Sequence, residues 1–224
     1  YLEQDNVARA FNKNAWPWYQ YLPGLPTTGE NTVNGVAVPI FRCPSNGGPT
    51  TGRDNGYLVA LTSYLGVSGR NQFREAGGQD GILYVNAGVK VLGITDGTSN
   101  TLLVGERPPY GNDTLLGLLW ADSGEFPYFG AAGAVLGVRE RPKNPGAGPD
   151  FYRPGDLNDP QALHRYHFWS LHTGGGNWLF ADGGVRFVTY AAGTQVVGSF
   201  NGVSDVTLLE CMASRAGGET FSNP

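Results

Sequence analysis

His164, His167 and His172 are all the histidines of the chain, and with Asp182 they fall within nineteen consecutive residues. Imidazoles and a carboxylate form a valid ligand set for a divalent metal. Three such ligands with one open position would make a hydrolytic zinc site. The spacing is not the helical His-x-x-x-His pattern, however, and no Glu stands where the general base of that motif belongs. The competing reading gives His172 and Asp182 structural hydrogen bonds, the carboxylate accepting from turn amides or from the imidazole. That reading is favoured, and no metal or cofactor is expected. Nucleophilic chemistry has less support. There is no Gly-x-Ser-x-Gly elbow, Ser170 near His172 lacks a third orienting group, and Cys43 before Pro44 has no partner His at a recognisable spacing. Glu106-Arg107 and Glu140-Arg141 read as ion pairs. Gly174-Gly175-Gly176 is not followed by Lys-Ser/Thr and is no phosphate loop. No catalytic residue is expected.

Those side chains must be positioned by the stretch 170–189. Two runs rich in aromatic and β-branched residues, 177–181 and 185–189, flank Asp182-Gly183-Gly184, which tolerates the positive φ of a tight turn. The stretch is therefore a β-hairpin. Trp178 and Phe180 share one face and Leu179 and Ala181 the other, while Val185, Phe187 and Thr189 oppose Arg186 and Val188. His172 lies just outside the hairpin, free to reach back toward its turn.

A Ser-x-His-x-Gly-Gly run with Asp-Gly ten residues after the His, here His172, Asp182 and Gly183, resembles the closing signature of a large bacterial family abundant in planctomycetes. Its members carry a prepilin-type amino-terminus. Further landmarks resemble that family in its order. They are Tyr1-Leu-Glu-Gln-Asp-Asn6, Phe41-Arg-Cys43-Pro-Ser45, Ser63-Tyr-Leu-Gly66, Asp96-Gly97-Thr-Ser-Asn100-Thr101 with Gly105-Glu106-Arg107, and Arg215-Ala-Gly-Gly-Glu219. The resemblance spans nearly the whole chain. It implies a pilin-like or pseudopilin-like head whose apolar helix precedes Tyr1 and anchors it in the inner membrane. It further implies processing by a prepilin peptidase and assembly by a type IV pilus or type II secretion-like machine, with packing of copies side by side in an open-ended, heterologous array.

The bulk composition restricts the alternatives. With 224 residues, 40% hydrophobic and 15% charged, 35 Gly and 15 Pro, the chain reads as loop-rich with short strands. Five Trp, eleven Tyr and eleven Phe supply apolar surface to bury, which argues against disorder. A net charge of −4 with no Lys/Arg run argues against a nucleic-acid partner. Cys43 and Cys211 lack metal-ligand spacing and leave two possibilities open, one long-range disulfide in an oxidising compartment or two separate buried thiols. No apolar run approaches the roughly 20 residues of a spanning helix, so any membrane attachment is expected through the helix ahead of Tyr1.

Along the chain, residues 1–14 read as the tail of that helix, ended by Trp16-Pro17. Trp16, Trp18, Tyr19 and Tyr21 either roof the core or form a stacking platform for sugars or a subunit contact. Strands are expected at 36–43, 58–66, 81–92, 101–105 and 115–120, and short helices at 161–169 and 205–212. The 96–101 turn, with Asp96, Gly97 and Asn100, reads as a hydrogen-bonded loop rather than a calcium loop, since it holds one carboxylate. Residues 121–160 read as a Gly/Pro-rich surface excursion. The expectation is one α+β domain over 1–224, in which the amino-terminal helix packs on a mostly antiparallel sheet. It would act as a non-enzymatic, extracytoplasmic subunit partnered by its own copies and the assembly machinery. The alternative is a secreted carbohydrate-binding or metal-dependent hydrolytic domain, whose facing carboxylates would come from Glu106, Asp122, Glu125 and Asp182.

Overall fold

The computed structural model describes residues 4–12, 14, 21–54, 56–71, 79–84, 87–109, 135–139, 151–158, 164, 167–200 and 203–218. Its centre is a five-stranded sheet built from β3 (Tyr64–Gly69), β4 (Leu102–Glu106), β5 (Val135–Gly137), β6 (Gly175–Phe180) and β7 (Val185–Thr189), in the order β5-β3-β4-β6-β7. Every pairing is antiparallel except β3 with β5. Two further hairpins are β1 (Thr51–Asp54) with β2 (Tyr57–Ala60), and β8 (Val196–Phe200) with β9 (Val203–Thr207). The fold is α+β.

The hairpin predicted at 170–189 is the β6–β7 pair, with Trp178 opposite Arg186 and Leu179 opposite Val185. Its turn closes through the Gly183 amide on the Phe180 carbonyl (3.0 Å), with Gly183 at φ 84°, a backbone region that suits glycine. Trp178 and Phe180 are buried and Val188 joins them, while Val185 and Phe187 face outward. The core gathers Leu65, Val67, Leu102, Leu136, Phe168, Trp178 and Phe180 with Leu209 and Met212 of helix α2 (Leu208–Ala213). Helix α2 starts with a capping box. The Thr207 hydroxyl accepts from the Glu210 amide, and the Glu210 carboxylate accepts from the Thr207 amide at 2.8 Å.

Several expectations are corrected. The helix on the sheet is α2, whereas α1 (Asp5–Ala10) buries no residue. The 36–43 strand is absent because Pro39 starts a 3-10 turn over Pro39–Phe41. The described part of 81–92 forms bends and a 3-10 turn at Val91–Gly93, where Gly81, Gly88 and Gly93 interrupt any ladder. The excursion at 121–160 contributes β5, whose Leu136 is buried beside β3, so part of it is core. Residues 205–207 belong to β9, and α2 starts only at Leu208. The strand at 115–120, most of the helix at 161–169, and Trp16, Trp18 and Tyr19 lie outside the described residues. Tyr21 is half-buried and bridges Thr32.

One close approach fixes how β4 meets β6. Gly105 lies opposite Trp178, and a Cβ there would fall 2.4 Å from the Trp178 ring and 2.8 Å from Phe168. The ring occupies the space a side chain would need. Gly105→Ala therefore costs about 1–3 kcal/mol through overpacking. The expected readout is a lower urea midpoint at unchanged slope.

Candidate functional site

β4 ends at Glu106, whose carboxylate is turned into the protein and is 3% exposed. Its Oε2 accepts the Asn177 amide of β6 at 2.7 Å. Its Oε1 lies 3.2 Å from Nε2 of His172, which sits in the turn leading into β6. The same Nε2 lies 3.6 Å from Sγ of Cys43, buried in the segment that follows the Pro39–Phe41 turn. Cys43, Glu106 and His172 thus turn one ligand atom each toward a common point, all within 4.8 Å of one another. Among the described residues this is the only such group of His, Cys, Asp and Glu.

The surroundings hold the three in place. The His172 amide donates to Oγ of Ser170, and the Ser170 hydroxyl donates to the Gly175 carbonyl. Gly176 leaves room behind Glu106, since a Cβ would stand 3.1 Å from both Oε2 and the Tyr152 hydroxyl. Tyr152 donates to the Val188 carbonyl at 2.8 Å. Burial pushes the Tyr64 phenol up to about 12, with further contributions from Cys43 and Glu106 beside it, so it stays protonated in this cleft.

A second constellation gathers near the β6–β7 turn. Asp96 accepts the amides of Gly217 (2.7 Å) and Gly218 (3.0 Å), so its carboxylate holds the 215–218 segment. The Asp182 amide donates to the Thr98 carbonyl at 3.0 Å, and Arg186 donates to the Ser99 carbonyl. Asn100 closes the turn by donating to the Asp96 carbonyl, and the Gly97 carbonyl accepts from the Thr101 hydroxyl. The Gly184 amide, with Arg186 at 2.7 Å, holds the Asp182 carboxyl below the usual carboxylate range. These contacts match the hydrogen-bonded loop expected at 96–101. Each Asp96 oxygen accepts one backbone amide.

The sequence-predicted residues therefore divide differently from their spacing in the chain. His172 does not reach Asp182. The two lie at opposite ends of β6, which at about 3.3 Å per residue keeps them far apart. His164 and His167 do not join His172 either. Nδ1 of His167 meets the Phe168 carbonyl at 2.9 Å, so Nε2 carries the lone pair and accepts from Nδ1 of His164, also at 2.9 Å. Cys43 and Cys211 are both buried and form no disulfide: Cys43 faces His172, while Cys211 lies within α2. Sequence reasoning placed Cys43, Glu106 and His172 in separate motifs. It missed that they meet, and it missed the Asn177 amide and Tyr64 as their supports.

Residues 1–195 match the family described as "Protein of unknown function (DUF1559)". The chain belongs to this family. No curated protein and no solved structure gives a significant match. Within the family match lie the three donors and both turns of the second constellation.

His167 makes acid stability a direct readout of the histidine pair. Burial, with lesser contributions from nearby cationic groups, pushes it down to about 3, against about 6.5 in the unfolded chain. The folded state keeps it neutral while the unfolded state takes up the proton. Its contribution is therefore complete above pH 6.5 and is lost as pH falls toward 3, at about 1.4 kcal/mol per pH unit. Urea midpoints at pH 7.5 and 4.5 should fall steeply for the wild type and less for His167→Asn, which keeps a donor for the Phe168 carbonyl.

Proposed function

We propose that the chain is the water-facing head of a pilin-like or pseudopilin-like subunit with no catalytic role. It is displayed outside the cytoplasmic membrane and assembles with copies of itself through a secretion- or pilus-type machine. The observation that carries this reading is how the landmark motifs are used. Phe41–Ser45, Ser63–Gly66 and Gly105–Arg107 meet in one cluster, where the Ser63 amide donates to the Phe41 carbonyl (2.8 Å) and the Arg107 amide to the Ser63 carbonyl (2.9 Å). Asp96–Thr101, Asp182–Gly183 and Arg215–Gly218 meet in the other. Their polar groups are spent on internal bonds that join remote segments, which is what a rigid display head requires.

Two further observations support self-assembly. Among the described residues β7 is a sheet edge, and its outward Val185 and Phe187 are 65% and 50% exposed. An exposed edge strand with apolar side chains is a template for pairing with another copy. Helix α1 buries nothing against the head, as suits an element that projects from it. No helix among the described residues is long and apolar enough to cross a membrane.

The test is expression of the complete open reading frame in its native host. Prepilin-type processing at the membrane and cross-linked ladders of the surface-displayed protein are expected. Paired substitution of Val185→Asp and Phe187→Asp should abolish the ladders while leaving the thermal midpoint of the isolated head within about 2 °C, since surface changes rarely exceed about 0.5 kcal/mol. An unprocessed, cytoplasmic, monomeric full-length protein would overturn the proposal.

A further inference from the structure

We infer that Cys43, Glu106 and His172 form a binding site for a borderline divalent metal ion of the zinc class, with a fourth position left to water or an external ligand.

Geometry carries the inference first. Ligands on a tetrahedral zinc, with sulfur at about 2.3 Å and nitrogen or oxygen at about 2.0–2.1 Å, lie about 3.6 Å (S to N) and about 3.3 Å (N to O) from each other. The corresponding separations here are 3.6 Å and 3.2 Å. Two edges of such a coordination polyhedron are therefore already in place, and the third pair, Cys43 with Glu106, lies within 4.8 Å.

A catalytic Cys–His–Glu relay fits less well. In a relay the two ring nitrogens divide the work, one toward the nucleophile and the other toward the orienting acid. Here the single Nε2 of His172 faces both the thiol and the carboxylate. If Nε2 carries a proton for Glu106, it cannot accept one from Cys43. If it is bare, it donates to neither. A cation at the common point satisfies all three groups together.

Charge and donor softness then select the ion. A thiolate and a carboxylate together neutralise a divalent cation, which removes the penalty for burying Glu106 and Cys43 beside each other. A sulfur and an imidazole ligand disfavour calcium and magnesium and suit zinc. The outer partners of a built metal site are present in the Asn177 amide on Oε2 and the Ser170 hydroxyl that fixes the His172 backbone. Entry is open, because the His172 side chain remains 29% exposed while Glu106 is 3% exposed. The ion would join segments 129 and 66 residues apart in the chain, namely Cys43 to His172 and Glu106 to His172.

The experiment uses tag-free, reduced, chelator-treated protein and Zn²⁺ or Co²⁺ alone as the probe. Zinc is expected to bind one per chain and to raise the thermal midpoint in a concentration-dependent way. Cobalt is expected to show a thiolate charge-transfer band with the intense visible absorption of a tetrahedral site. Cys43→Ser should abolish the charge-transfer band, and His172→Gln should weaken zinc binding at least about 10-fold, each with an unchanged circular dichroism spectrum. Glu106→Gln, which keeps the shape and the Asn177 contact, should also weaken binding and guards against misreading a folding defect. Absence of zinc binding to the wild type overturns the inference, as does binding of equal strength to the folded Cys43→Ser and His172→Gln variants. Either failure leaves the structural-subunit reading standing, since that reading rests on assembly and not on a metal.

Discussion

A buried carboxylate at the end of β4 is the constraint on which the surrounding structure depends. Glu106 cannot be left unpartnered away from water without a penalty of several kcal/mol. Its two oxygens therefore commit the Asn177 amide of β6 and the His172 ring to fixed positions. Its own carbonyl accepts the Trp169 amide at 3.0 Å, which docks the segment that leads into the hairpin. Through Gly105 the same strand end lets Trp178 lie against it. Polar satisfaction and core packing are thus solved at one place by adjacent residues of one strand.

The second constellation does the corresponding work near the β6–β7 turn. There Asp96 gathers the amides of Gly217 and Gly218, and the β6–β7 turn locks onto Thr98 and Ser99. Strands β4 and β6 run between two polar clamps. Between the clamps lies an apolar layer in which Trp178 and Phe180 meet Leu102 and α2. A short sheet with this many loops gains definition from such clamps, because loops supply little burial of their own.

The hairpin was the most legible element in the sequence. Its alternation of aromatic and β-branched residues about Asp182-Gly183 fixes strand, turn and face together, and β7 has the bounds expected of it. The strand at 101–105 was legible for the same reason. The partnership of Cys43, Glu106 and His172 was not, because long-range convergence leaves no periodic signal in the chain. The misreadings have physical causes as well. Pro39 turned an apolar run into a 3-10 turn, scattered glycines broke the ladder expected after Gly81, and β5 hid within a Gly/Pro-rich stretch because its three residues are too few to show a period. The histidine cluster misled by proximity in sequence. His172 sits in the bend ahead of β6 and meets partners from distant segments, while His164 and His167 pair with each other.

Whether Glu106 ties these segments into one unit is most directly measured by a double-mutant cycle on metal-free protein. The cycle combines Glu106→Gln with His172→Gln and reads unfolding free energies from urea titrations in the presence of chelator. A coupling energy of about 1 kcal/mol or more is expected for groups sharing one buried contact. Additivity within about 0.5 kcal/mol would mean that the two side chains do not depend on each other, and would contradict the central place given to Glu106.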